Sequence, residues 1–468
     1  MSAFESVMWE LERDPQLSSA FANLTTLDVA PDRGVLRARM ERTCAAVPRL
    51  RQRVVVPPGG FAAPEWQDDP DFDLDHHLRW IDLGGDASDA EVLELVATLC
   101  RHPFDRTRPL WEFVVIEGLA GRRAAMLQRL HHTITDGEGG IRLSVQFLDL
   151  ERTPAPRDDR ESSDLDDPAS RSVTDDDDVI DSTNWLTRAG DAALTTVRQP
   201  VELVGAALSN LGDAATHPHE LPQRSADIAR TVASAARQVG VDPRHSPLWR
   251  DRSLERWFGT TDVPLEQMRA AAHALGASIN DVFVAGAAAA AGEYHRRAGT
   301  PVELLRVSIP ISTRHDRSVG GNAFAPSQTL VPTGEMTPDE RVAVIHATLS
   351  DVKGERALGS VETMASWLTL LPSIAVVRAG QHMAGSVDFV CSNVKAAPFD
   401  LYMGGALIES NYPIGPLAGT AFNLTTMSYR GSMCMGLVVD PAAVSDPDRL
   451  LADIEQAYRD LLGAAGIS

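Results

Sequence analysis

Two adjacent histidines, His131 and His132, are followed by Asp136 and Gly137 and then by two more glycines, Gly139 and Gly140. Imidazole changes charge near neutrality, so a histidine facing a cleft takes a proton from a hydroxyl, thiol or amine nucleophile. Neighbours in a strand face opposite sides, so the two rings are expected in different roles, one in a cleft and one in a core or supporting network. Asp136 stands where a helix is expected to begin, and a carboxylate there caps amide donors or holds an arginine. The glycines let the backbone pass close to a bound substrate.

Regular elements must hold these groups. Ala124-Ala125-Met126-Leu127 is an apolar run that reads as a buried strand. Ile141, Val145 and Leu148 recur at helical spacing, which predicts an amphipathic helix over 141–150. The histidines therefore sit where a strand ends and a glycine-rich turn leads into a helix. Phe113-Val114-Val115-Ile116 predicts a second buried strand, paired to the first as a hairpin through Gly118 to Gly121.

The pattern His-His-x-x-x-Asp-Gly over His131 to Gly137 resembles the motif of acyl-CoA-dependent acyltransferases of the chloramphenicol acetyltransferase and condensation-domain type. Upstream, Pro109-Leu110-Trp111-Glu112-Phe113 is similar to the bacterial wax ester synthase/diacylglycerol acyltransferase family. The likeness runs from Glu5, where that family carries Asp, through Pro48 to Arg53, Trp66, Asp71 to Leu78, Asn280-Asp281, Pro310 to Arg314 and Ser392-Asn393, to the closing helix. It implies an α/β (α+β) fold of two chloramphenicol acetyltransferase-like domains, each a mixed sheet covered by helices, with a tunnel between them. It also implies transfer of a fatty acyl group from acyl-CoA to an alcohol, either diacylglycerol or a long-chain alcohol, with no cofactor or metal. By the same resemblance His132 is the general base. His131 supports it, and Asp136 fixes the turn, with Arg314 as a candidate partner. Gly137, Asn280 and Asn423 are candidates for the oxyanion site, while Asn280 reads equally as a plain helix N-cap. Trp249, Lys395-Ala396-Ala397 and the stretch Gly321 to Pro326 depart from the family pattern and leave the acceptor open. Two other classes stay in view: a free-standing condensation-type enzyme using carrier-bound donors, and a non-catalytic lipid-binding relative.

Length and charge bound these readings. A chain of 468 residues exceeds one ordinary core, so two domains are expected: 1–156 and 251–468, joined by 157–250. A net charge of −22 argues against nucleic acid as a partner and against charge-driven adhesion to anionic lipid. Residues 157–181 hold 11 acidic and 3 basic side chains and read as a solvated linker. Helices are expected over 185–199, 201–211 and 226–239, then 264–275, 282–297, 340–358 and 446–462. Strands are expected over 304–310 and 387–394, with two more between 408 and 429. Cys44, Cys100, Cys391 and Cys434 have no paired metal spacing and read as packed thiols. A second pair, His76-His77, lacks a following Asp-Gly and reads as structural. Arg49, Arg51 and Arg53 read as solvated or ion-paired. The acidic N-terminus lacks a signal pattern, and the apolar run 282–291 is too short to span a bilayer. A cytoplasmic protein is therefore expected, any contact with membrane or lipid droplets being peripheral.

Overall fold

The computed structural model describes residues 1–57, 64–135, 137–154, 244–312, 324–356 and 373–467. Asp136, Arg314, the acidic stretch 157–181 and the three helices expected over 185–239 lie outside the described residues.

Local chemistry starts several helices. In α1 (Ala3–Leu11) the Ser2 hydroxyl accepts from Glu5 N while the Glu5 carboxylate accepts from Ser2 N, a closed capping box. The same exchange between Ser88 and Glu91 opens α4 (Asp89–Arg101), and one between Ser278 and Asp281 opens α7 (Ile279–Arg297). The remaining helices are α2 (Arg33–Ala46), α3 (Leu74–His77), α5 (Gly137–Val145), α6 (Leu265–Ala274), α8 (Pro338–Arg356), α9 (Ser373–Ala384) and α10 (Pro447–Ala464). No single described helix is long and apolar enough to cross a membrane.

Two mixed sheets organise these helices. The first runs β11 (Tyr402–Met403), β12 (Ala406–Ile414), β1 (Ala20–Leu27), β6 (Ala124–His131), β5 (Trp111–Leu119), β4 (Leu78–Ala87). The second runs β7 (Trp257–Pro264), β14 (Ser432–Val439), β13 (Phe422–Tyr429), β10 (Phe389–Lys395), β8 (Leu304–Ser312), β9 (Phe324–Pro332). β2 (Gln52–Val55) and β3 (Glu65–Asp68) form a separate ribbon. The expected β5–β6 hairpin is present, antiparallel, with Trp111 opposite Leu130. Sequence patterning does not single out β1 or β14. β14 is buried on both faces, which erases alternation altogether.

Three cores fill the layers. One lies between the second sheet and α6, α7, α8 and α10. Another joins the first sheet to α2 and the segment after α5. The third combines α4 and first-sheet residues Leu24, Val114 and Leu127 with Phe258, Leu417 and Val438 of the second unit. Burial shared in this way welds the two sheets together, because neither can expose that surface without losing the hydrophobic contribution of both.

The weld is also covalently crossed. β12 and β11 come from the C-terminal part of the chain yet complete the first sheet, with Leu24 opposite Tyr412 and Ala22 opposite Ile414. β14 presses on β12 so closely that a Cβ on Gly436 would meet the Pro413 carbonyl oxygen at 2.0 Å. Glycine is required there by a close approach of backbone to backbone.

Candidate active site

Strand β6 ends at His131, and His132 is the first corner of a turn in which the His131 carbonyl accepts from Ile134 N at 2.9 Å. The two rings do take different environments, but a turn produces this rather than strand alternation. His131 is almost wholly buried, at 2 % exposure, whereas His132 is half-buried. Their amides diverge as well. His131 N donates to the Leu110 carbonyl on one flank, and His132 N donates to the Ser19 carbonyl on the other.

The His131 ring has a defined tautomer. Thr133 N donates to its Nδ1 at 3.1 Å, so the ring proton resides on Nε2, which donates to Glu12 Oε1 at 2.9 Å. Burial pushes the Glu12 carboxyl up, but the hydrogen bond from His131, with the Ser19 amide, more than offsets this and holds it below its ordinary value. Glu12 thus ties the buried histidine to the Ser19 peptide, whose carbonyl receives His132. A carboxylate at the C-cap of α1 opposes the helix dipole. That unfavourable placement is the one sequence signal pointing to a use for Glu12 elsewhere, and sequence reasoning missed it.

The upstream family stretch is a clamp on the same turn. Leu110 supplies the carbonyl for His131. Trp111 is buried, donates from Nε1 to the Leu50 carbonyl at 2.8 Å, and stacks on His77 at 4.6 Å. Glu112 pairs with the buried Arg129 of β6 at 2.7 Å and also with Arg79. His77 is packed between Phe72 and Trp111 and bonds the Trp111 carbonyl through Nδ1. Burial, the largest cause, lowers its pKa to about 4, so it is a neutral packing group. Arg49, from the basic stretch, lies over the Trp66 ring and 3.7 Å from Glu5.

The His132 ring lies 4.5 Å from the Phe21 ring, and the same Phe21 ring approaches Gly140 of α5. Helix α5 begins at Gly137 and ends at Val145, earlier at both ends than the expected 141–150. The chain beyond it is pulled into a β-bridge, Asp149 and Tyr402 exchanging two 2.8 Å hydrogen bonds. The buried Arg39–Asp149 pair at 2.7 Å fixes this exit. α5 also touches β10, so the histidine turn lies where the two sheets meet.

The oxyanion candidates are distributed unevenly. Gly137 opens α5, where the first amide groups of a helix have no intrahelical acceptor. Asn423 of β13 is buried, donates to the Pro416 carbonyl at 2.7 Å and accepts from Thr425 Oγ1. The β1–β12 register brings that loop to the His131 end of the first sheet, since Ala20 faces His131 and Ala22 faces Ile414. Asn280 belongs to the helix layer of the second sheet, α7 packing on α6, α8 and α10. Its reading as an N-cap is corrected, because Ser278 is the cap and Asn280 sits inside the first turn. Asp281 closes that cap and bonds His346 Nδ1 at 2.7 Å, so the Asn-Asp pair has a structural use through its second member. The four cysteines are free thiols in buried or half-buried positions, raised by burial, Cys100 to about 11.

Comparison with known proteins agrees with this construction. Residues 1–283 match the wax ester synthase/diacylglycerol acyltransferase catalytic domain, and residues 320–462 match the WS/DGAT C-terminal domain. A putative diacylglycerol O-acyltransferase of Mycobacterium tuberculosis is 34% identical over 459 residues, covering 97% of this chain and 90% of the relative. The wax ester synthase/diacylglycerol acyltransferase of Marinobacter aquaeolei VT8 superposes with a TM-score of 0.64 at 21% identity, covering 99% of this chain and 98% of that one. The first condensation domain of the calcium-dependent antibiotic synthetase, bound to a substrate analogue, gives a TM-score of 0.60 at 16% identity, covering 99% of this chain and 95% of that one. The expected mixed α/β architecture with two acyltransferase-like units is thus the observed one. With both family domains matched in order along one chain, this protein is an acyltransferase and belongs to the wax ester synthase/diacylglycerol acyltransferase family.

Proposed function

We propose that the protein moves a fatty acyl group from coenzyme A to an alcohol, either diacylglycerol or a long-chain alcohol, with His132 as general base. The observation that carries this is the split between the two histidines. One ring is buried and locked to Glu12, and the other is half-buried on the turn beside α5. His132 takes the proton of the acceptor hydroxyl as its oxygen attacks the thioester carbonyl. The tetrahedral oxyanion collapses, the C–S bond breaks, and the coenzyme A thiolate leaves with the proton returned from His132. Amide donors at the start of α5 would receive the oxyanion, and such donors contribute several kcal/mol in related chemistry. Substrates would approach through the junction of the two sheets, where the tunnel is expected. Asp136 keeps its proposed role as anchor of the turn.

The test is His132→Ala, assayed for thiol release from palmitoyl-CoA with hexadecanol or dioleoylglycerol. A loss of at least about 100-fold with an unchanged thermal midpoint is expected, in line with a general base's share of catalysis. Near-normal turnover would remove the assignment. Supplying the same acyl group on a carrier protein separates the condensation-type reading, which requires that donor to be preferred.

A further inference from the structure

Strand β1 carries Phe21 directly opposite Leu130, two residues before His132, so these side chains share one face of the first sheet. Leu130 packs there with Leu143 and Phe147, which places α5 and the segment after it over that face. Phe21 stands at the edge of this packing. Its ring lies against the His132 ring, 4.5 Å between centroids at 37°, and its far edge, Cε2 and Cζ, approaches Gly140 of α5. Phe21, His132 and Gly140 are each half-buried, while Leu130, Leu143 and Phe147 are buried. The first three therefore keep surface that the core does not cover, beside the proposed base.

Gly140 has no use within the fold itself. It lies inside α5 and has no positive φ, so the backbone does not require glycine. Packing does not require it either. Among the described residues, the nearest atoms to a Cβ placed there are Phe21 Cε2 and Cζ, at 3.8 and 3.9 Å, an ordinary van der Waals contact. Glycine weakens a helix relative to alanine, so alanine would hold α5 better. The missing methyl group leaves room beside the outer edge of the Phe21 ring.

General-base catalysis brings the acceptor oxygen to about 3 Å from the His132 ring. The carbinol carbon and the carbon next to it then lie within reach of Phe21, which touches the same imidazole. A straight primary alcohol has a methylene at that second carbon. 1,2-Diacylglycerol has a branch there, the central carbon of its glycerol. Resting on the acyl-transfer reading, we propose that Phe21 and Gly140 determine acceptor specificity. The Phe21 ring limits the width of the acceptor at the carbon next to the carbinol, and the bare Gly140 gives a branch at that carbon its room. The pair admits diacylglycerol, and changes at its two positions shift the choice between branched and straight acceptors in opposite directions.

The experiment measures kcat/KM with palmitoyl-CoA as donor and three acceptors: hexadecan-1-ol, 2-methylhexadecan-1-ol and 1,2-dioleoylglycerol. The parent protein is expected to use all three. One methyl group in a fitted pocket is worth about 10-fold or more, so Gly140→Ala should lower both branched acceptors relative to hexadecan-1-ol by at least about 10-fold. Phe21→Leu should raise the same ratios by at least about threefold. A ratio of acceptors on one protein is independent of the amount folded, so a merely structural role leaves it unmoved. Unmoved ratios in Gly140→Ala, or ratios that fall in Phe21→Leu, overturn the inference while acyl transfer itself stands. Thiol release absent with every acceptor removes the acyl-transfer reading, and this inference with it. Should Phe21→Leu fail to fold, Gly140→Ala alone decides.

Discussion

Removal of the Glu12 carboxylate tests how the site is held, because one side chain there serves two buried donors. In Glu12→Ala, the His131 Nε2–H and the Ser19 N–H lose their acceptor, and His131 is too buried for water to replace it. An unsatisfied buried donor costs about 1–3 kcal/mol, so a loss on the order of 2–4 kcal/mol in unfolding free energy is expected. Glu12→Gln keeps an oxygen in place and should cost only about 1 kcal/mol, the difference between a charged and a neutral acceptor. Turnover should fall as well, since the Ser19 carbonyl that receives His132 N is released. A shift of about 1 Å in the base is worth up to ~100-fold in rate. Urea unfolding and thiol release from acyl-CoA read the two effects. Coupling is the sharper measure: His131→Ala removes the same hydrogen bond, so the double variant should be less destabilised than the sum of the single variants by about 1–2 kcal/mol. The sign with pH follows from a depressed carboxyl. Its contribution is full above the ordinary value of 4.5 and is lost as pH falls through the folded-state pKa. Glu12→Gln should lack that loss. A strictly additive cycle, or a Glu12→Ala protein with parental stability and rate, would refute the argument.

Three further outcomes are expected. His77 is neutral in the fold, with a pKa of about 4 against an ordinary 6.5, so stability should fall between pH 6.5 and 4 as the unfolded chain gains a proton first. By pH 4.5 the drop is on the order of 2–3 kcal/mol in urea unfolding, and His77→Phe should flatten it. Ser278→Ala should cost about 1 kcal/mol and Asn280→Ala less than about 0.5 kcal/mol by thermal unfolding, the reverse order restoring Asn280 as the cap. Gly436→Ala must push β14 off the Pro413 carbonyl, and a loss of at least about 3 kcal/mol, or failure to fold, is expected; a change below about 1 kcal/mol would contradict the close approach.

Much of the site was readable because its signals are local. The strand before His131 and the hairpin from β5 to β6 follow from the order of apolar and small residues over short spans, and so does a helix beside the histidine turn, although it takes Gly139 and Gly140 into its first turn instead of following them. The Pro109 to Phe113 stretch was readable as a signature, but its use was not. Glu112 neutralises Arg129, and Leu110 supplies a carbonyl to His131, only once the two strands lie side by side. Helix ends followed side-chain capping rather than apolar spacing, which is why α7 starts just after its cap Ser278 and why Asn280 is not the cap. β14 escaped notice because a strand buried on both faces has no alternation to detect.

The sequence by itself determined that a histidine would stand at a strand-to-helix junction, and that the family likeness would run nearly the length of the chain. Tertiary structure alone decided which groups support that histidine. Glu12 reaches His131 across 119 residues of sequence, and its helix is braced in turn by α9, where Leu11 packs against Gly380 and Asp14 accepts from Gln381. β12 closes the first sheet from the other end of the chain. The physical reason is range. Hydrophobic periodicity and capping act within a few residues and are written in local order. An ion pair, a shared core or a backbone crossing depends on which distant segments burial brings together.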